Sequence, residues 1–225
     1  MEIIPAILPK DFKEIEEKTS IVKELANMVQ VDICDGKFTP SVTWPYKKHD
    51  KNFEALLHED RGMPFWEDID YEFDLMIKEP TEHDVRQWLS AGAEKIILHA
   101  ESSDDLSQVL SILDGLVETG LALNVQTPID IIGKYKDKIS YVQLMGITKI
   151  GFQGQSFDPR VLNKIKEVKE KYSSFPIQID GGVSMATAEQ MKLAGAEILV
   201  VGSALFNSND ISANIVDTYR KLKRI

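Results

Sequence analysis

Cysteine is almost missing from this chain. Cys34 is the only one, so no internal disulfide can form, and a reducing compartment is the expectation. Basic residues are also short: 26 Lys and Arg stand against 36 Asp and Glu, a formal net charge of −10. Such an acidic chain is a poor match for nucleic acid or an anionic membrane, and neither partner is expected. No stretch stays apolar for the roughly 20 residues that a membrane span needs. The opening Met1-Glu2-Ile3-Ile4-Pro5 shows no basic region ahead of an apolar core. The expected location is therefore the cytoplasm. Histidine is scarce as well, and His49, His58 and His83 show no metal-ligand spacing.

What is present is apolar residues in quantity and in order. They make up 43% of 225 residues, enough for one sizeable core, and a single domain over 1–225 is expected. Short β-type runs alternate with amphipathic segments. The runs are Glu2 to Leu8, Met28 to Cys34, Asp70 to Ile77, Lys95 to His99, Leu121 to Val125, Ser140 to Leu144, Ile177 to Asp180 and Ile198 to Val201. Asp11 with Glu14, and Thr81, sit where helix N-caps belong. Eight strand–helix units of this length predict an α/β fold, a closed (β/α)8 TIM barrel. The irregular stretch Phe38 to Asp68 reads as a packed excursion with a short helix near Phe53 to His58.

Three glycine clusters follow the last three strands: Gly151-Phe152-Gln153-Gly154-Gln155, Asp180-Gly181-Gly182 and Gly202-Ser203. One such cluster alone reads as a turn. Three at the same end of consecutive parallel strands read as a phosphate cradle, because glycine lets backbone N–H groups approach an anion closely. Asp32 on the second strand and Asp180 at the end of the seventh are expected to face each other across the barrel mouth. Two such carboxylates suit a two-base proton transfer, and helix capping or a lysine pair is the alternative for either. Asp74 falls next to Asp32, while Asp35, three residues after Asp32, either points the other way or belongs to the turn with Gly36. Met76 and Met145 are candidates for an apolar lid over a sugar, with core filling as the other account. Cys34 reads as packing rather than a nucleophile, and His99 as a structural hydrogen-bonding residue, with polarising a substrate at the barrel mouth as its alternative.

These stretches together resemble the ribulose-phosphate 3-epimerase family along nearly the whole chain. The resemblance is carried by Pro5-Ala6-Ile7-Leu8, Val31 through Pro40, Asp74-Leu75-Met76-Ile77, Ala122-Leu123-Asn124, Gly151 through Phe157, Ile179 through Val183 and Gly202 through Phe206. It implies a barrel of the ribulose-phosphate-binding type and an isomerase of carbohydrate metabolism. Ribulose 5-phosphate and xylulose 5-phosphate, pentose phosphate pathway sugars, would interconvert through an enediolate held by a divalent metal. The family's acid/base pair falls on Asp32 and Asp180, and its phosphate loops on Gly151 to Gly154, Gly181-Gly182 and Gly202-Ser203. Three positions depart from the family pattern. Ala6 stands for a serine, and Gln30 and Asp74 stand for histidines. The metal set implied here is Gln30, Asp32, Asp74 and Asp180. Such oxygen donors favour magnesium or manganese over zinc, or no tight site. The loop before Gly151, Thr148-Lys149-Ile150, is one residue longer than the family's.

Three functions stay open at this point: a sugar-phosphate epimerase, a non-catalytic phosphosugar-binding barrel without metal chemistry, and a decarboxylase or aldol-type synthase. The last group carries a strand lysine in an Asp-x-Lys-x-x-Asp pattern, and Asp32-Ile33-Cys34-Asp35 has neither that lysine nor that spacing. A homo-oligomer is also left open.

Overall fold

Almost every strand residue is buried on both faces, as parallel strands covered by helices must be. The computed structural model describes residues 1–206 and 211–225. Its strands are β1 Glu2–Ile7, β2 Met28–Cys34, β3 Asp70–Met76, β4 Lys95–His99, β5 Glu118–Leu123, β6 Tyr141–Met145, β7 Ile177–Asp180 and β8 Ile198–Val201. Each pairs in parallel with the next, and β8 pairs with β1 to close the barrel. Helices α1 Phe12–Val22, α2 Lys51–Leu57, α3 Glu82–Ser90, α4 Ser107–Leu113, α5 Ile131–Tyr135, α6 Arg160–Lys171 and α7 Ala188–Ala194 occupy the connections. After β8 come the short α8 Ser203–Phe206 and α9 Ile211–Arg224. The fold is the expected (β/α)8 barrel. Among the described residues no helix is long and apolar enough to cross a membrane.

The local chemistry explains most boundaries. Asp11 caps α1 by accepting from the Glu14 amide at 2.9 Å. Glu14 returns its carboxylate to the Lys10 amide, one residue before the cap, rather than closing the box on Asp11. At α3 the box is complete: Asp84 N–H donates to Thr81 Oγ1, and the Asp84 carboxylate accepts from Thr81 N–H. A cap of this kind is worth about 1 kcal/mol. The fifth strand departs from the expectation of Leu121 to Val125, beginning three residues earlier and ending two earlier. Its first half, Glu118-Thr119-Gly120, hides a strand behind a charge and a glycine. Glu118 is held by Lys95 at 2.8 Å. Gly120 is required, because a Cβ there would lie 2.6 Å from the Tyr141 ring.

The excursion after β2 is packed, as expected. Asp35 turns the chain: one carboxylate oxygen accepts from Lys37 and Phe38 N–H, the other from Lys78 N–H across on the next loop. Thr43 then ties back to the strand, donating to Asp32 O and accepting from Cys34 N–H. Helix α2 lies slightly ahead of the expected position, capped by Asp50. Trp44 anchors the segment between Phe12, Phe53 and Trp88, with ring centroids 5.4, 5.4 and 6.0 Å away. Burying each such ring stabilises the fold by on the order of 3 kcal/mol.

The barrel interior has two characters. Ile4, Ala6, Met28, Ile198 and Val200 fill the β8–β1–β2 side with apolar atoms. The β2–β3 and β6–β7 side carries Gln30, Asp32, Glu72, Asp74, Gln143 and Gln178, all buried. Strand register sets their levels: Gln30 pairs with Glu72 and Asp32 with Asp74, while Gln143 pairs with Gln178 and Met145 with Asp180.

Candidate active site

The C-terminal ends of the strands open into a cavity lined by Ala6, Asp32, Met76, Met145, Ile147, residues 151–155, residues 180–183, Val200, Gly202 and Ser203. All three glycine clusters therefore meet at one place, together with both expected acid/base aspartates and both methionines. Positive φ at Gly151 (82°), Gly154 (73°), Gly181 (93°) and Gly182 (68°) explains why these positions are glycine. Space is also closed to a side chain. A Cβ on Gly182 would stand 2.8 Å from Phe157 Cα, and one on Gly151 would stand 2.7 Å from Thr39 Oγ1.

Asp32, Asp74 and Asp180 converge so closely that one carboxylate oxygen of each lies within 4.8 Å of the others. Strands β2 and β7 are separated by β1 and β8, so Asp32 and Asp180 are not diametrically opposed. A single amide bridges them: Gln30 Nε2 donates to Asp32 Oδ1 at 2.8 Å and to Asp180 Oδ2 at 3.2 Å. Asp74 is held from two sides, by His99 Nε2 at 2.9 Å and by Gln143 Nε2 at 3.1 Å. His99 sits under the Phe38 ring at 5.3 Å, and its Nδ1 has no partner.

Burial and mutual repulsion set the charge state. Desolvation, reinforced by Asp180 and Asp74, pushes Asp32 well above the usual carboxylate range. Asp180 is likewise raised, by burial and by Asp74, with the Gln30 hydrogen bond pulling the other way. Carboxylates this close repel each other unless a positive partner stands between them, and that repulsion adds to burial in raising both. Burial pulls the other way on His99, yet the Asp74 charge and hydrogen bond outweigh it and the imidazole pKa is raised.

The donor set also fits a metal. Three carboxylates converging in one place form a hard, all-oxygen site with excess negative charge, suited to a divalent cation such as magnesium or manganese. Gln30 is in place beside Asp32 and Asp180 but directs its N–H groups at them.

One layer deeper lie residues that motif reading passed over. Glu72 accepts from Tyr141 Oη at 2.6 Å and from Gln178 Nε2 at 2.8 Å. Gln178 also reaches Gln143 Oε1 at 2.8 Å. Burial lifts Glu72 to about 7, against the pull of Tyr141 and Gln178. The signal was available in the two-residue period. Gln30/Asp32, Glu72/Asp74, Tyr141/Gln143 and Gln178/Asp180 each place polar groups at i and i+2, on the inward face of a strand that is otherwise apolar.

A closed parallel barrel with three aspartates and three glycine loops gathered at the C-terminal ends of its strands defines the class: a (β/α)8 barrel with a polar cavity at its mouth. The family model for the ribulose-phosphate 3 epimerase family matches residues 2–206. A ribulose-phosphate 3-epimerase of Bacillus subtilis is 32% identical over 217 residues, covering 93% of this chain and 94% of that protein. One from Escherichia coli K12 is 30% identical over 229 residues, covering 99% and 96%. The chain belongs to the ribulose-phosphate 3-epimerase family. Among solved structures, a 3-hexulose-6-phosphate synthase superposes with TM-score 0.70 at 17% identity, covering 100% of this chain and 99% of that one. KGPDC from Streptococcus mutans in complex with D-R5P gives 0.72 at 13%, covering 99% and 97%. At these identities the likeness is one of fold.

Proposed function

We propose that this protein is an isomerase that epimerises a ketopentose phosphate, ribulose 5-phosphate to xylulose 5-phosphate, with Asp32 and Asp180 as the acid/base pair. The observation that carries the reading is the meeting of both aspartates with three glycine loops around one cavity. The phosphate end of the substrate lies against backbone N–H groups of Gly154, Gly182 and Gly202, with the Ser203 hydroxyl beside them. Residues 151–154 and Gly181 shape that cradle, and Met76 and Met145 cover the sugar. The carbon beside the carbonyl then sits over the carboxylates. One aspartate, ionised, takes the proton from one face, and the other, protonated, returns one to the opposite face. The Gln30 amide holds the two carboxylates toward one point, so that one can act as base while the other acts as acid.

Asp32, Asp74 and Asp180, with Gln30 beside them, would hold a divalent cation, magnesium or manganese in preference to zinc. When bound, the ion offsets negative charge developing on the substrate's oxygens. Gln143 and His99 keep Asp74 oriented, and Gln30 keeps Asp32 and Asp180 aimed at one point. The barrel forms one catalytic unit over 1–225, acting in the cytoplasm on a small molecule.

The test is incubation of the purified protein with ribulose 5-phosphate in heavy water, with and without added magnesium or manganese. Xylulose 5-phosphate should appear, with deuterium at C3. Binding without any exchange, whatever metal is added, would support the non-catalytic phosphosugar-binding reading instead.

A further inference from the structure

The cavity that Asp32 and Asp180 face contains no lysine or arginine among its lining residues. A phosphate dianion entering it meets two aspartates and no cationic side chain. Neutral N–H and O–H donors must therefore carry its recognition, and each donor counts for more in a cavity shielded from water.

One side chain is conspicuous in that setting. Gln153, in the loop after β6, extends across the rim of the mouth and donates its Nε2 to the carbonyl of Ala6 on β1 at 3.2 Å. To reach it, the amide lies flat on Gly202 at the end of β8. A Cβ on Gly202 would be 2.6 Å from Gln153 Nε2 and 3.2 Å from its Cδ. A side chain at 202 would therefore displace the Gln153 amide. The amide is set directly against the backbone that opens the β8 loop, where Ser203 begins α8. Position 6 presents only a methyl group to the mouth, so its carbonyl is what the amide holds.

The space beneath this strap is small. The cavity measures about 50 Å³, room for roughly four waters at ~10–15 Å³ each. Among the described residues the Gln153 amide has only this one carbonyl to hold and can exchange it for another acceptor. Its N–H groups then have a partner in reach at Gly202 and Ser203: the incoming phosphate.

We infer that Gln153 is a phosphate hook, a specificity-determining side chain whose amide transfers from the Ala6 carbonyl to the phosphate oxygens of the substrate. The inference rests on the phosphate cradle proposed above and adds to it a side-chain donor that backbone glycine loops alone do not provide. A ligand without the phosphate leaves the amide on Ala6 and gains nothing from it. The hook therefore selects for phosphorylated sugars.

Gln153→Gly and Gln153→Glu test this, with inorganic phosphate and ribulose 5-phosphate as probes and thermal unfolding as the control for folding. A hydrogen bond to a charged group, once lost, weakens binding by about tenfold or more. Gln153→Gly should lower inorganic-phosphate affinity by about that factor and raise KM for ribulose 5-phosphate in parallel, with a smaller effect on kcat. Gln153→Glu keeps the shape, adds charge and should lose more. Unchanged phosphate affinity in Gln153→Gly overturns the hook and leaves the epimerase reading standing. Tighter binding overturns it too, because the amide is then only a plug. A wild-type protein that binds neither phosphate nor ribulose 5-phosphate removes the cradle itself and the hook with it.

Discussion

Asp74 and His99 form a pair at 2.9 Å with both side chains fully buried beneath the barrel mouth. It is the only fully buried histidine–carboxylate contact near the three-aspartate cluster among the described residues. Removing one partner leaves the other without compensation in a low-dielectric interior, which typically costs about 3–5 kcal/mol. His99→Ala is expected to lower unfolding free energy by about that amount in urea titrations. Adding Asp74→Asn should recover part of the loss, because a neutral amide no longer needs the imidazole. An additive double-mutant cycle would show that the two side chains are not coupled.

The acid/base assignment predicts two separate losses. Asp32→Asn and Asp180→Asn should each reduce epimerisation by about 10²–10⁴-fold. Deuterium exchange at C3 should survive better in one of them, since each base serves one face of the carbon. The measurement is exchange followed by NMR from either epimer in heavy water. Full exchange in both variants sinks the two-base mechanism.

Metal preference follows from the donor types. Without the two histidines of the family pattern, the protein should purify without stoichiometric zinc, as read by elemental analysis. Its epimerase activity should be weak alone and rise with added magnesium or manganese. Gln30→His combined with Asp74→His supplies two imidazole nitrogens and should raise zinc affinity, measurable by competition with a chromogenic chelator. Tightly held zinc in the wild-type protein would falsify this account.

Glu72 gives a pH dependence of known sign. Burial raises it from 4.5 to about 7 in the folded protein. Below 4.5 both states are protonated and the fold carries no penalty from this group. As pH climbs from there through 7, the unfolded chain ionises first and stability is lost, by on the order of 3 kcal/mol at one pKa unit per 1.36 kcal/mol. Glu72→Gln mimics the protonated form. It should raise Tm at pH 8 by roughly 5–10 °C and leave it nearly unchanged at pH 4.5. Equal effects at both pH values would mean that the carboxylate is not perturbed.

The glycine loops predict an anion. Crystals grown in sulfate or phosphate should show one against Gly154, Gly182 and Ser203. Gly182→Ala should weaken inorganic-phosphate binding more than it lowers Tm, since its Cβ would press on the Phe157 backbone and shift the loop. Density elsewhere, with none in the cradle, would show the site to be misplaced.

Much of this was fixed by local chemistry. The alternation of apolar runs and amphipathic segments set strand count and a parallel barrel, because each element's buried face is written in its own period; the short α8 after β8 was not among its units. Glycine at the ends of the sixth to eighth strands and aspartate at positions 32 and 180 announced a mouth, because a closed barrel sends all its strand ends to one rim. Where a strand's first half was Glu118-Thr119-Gly120, the reading slipped, since those residues make sense only against Lys95 and Tyr141 on neighbouring strands. Three things needed the tertiary structure. The Gln30 amide bridging Asp32 to Asp180, 150 residues further along the chain from Gln30, the polar layer from Glu72 to Gln178, and the reach of Gln153 to Ala6 are contacts between distant segments. Sequence specifies which side chains face inward. Barrel closure and strand register decide which of them touch, and so which carboxylates converge and which amide crosses the mouth.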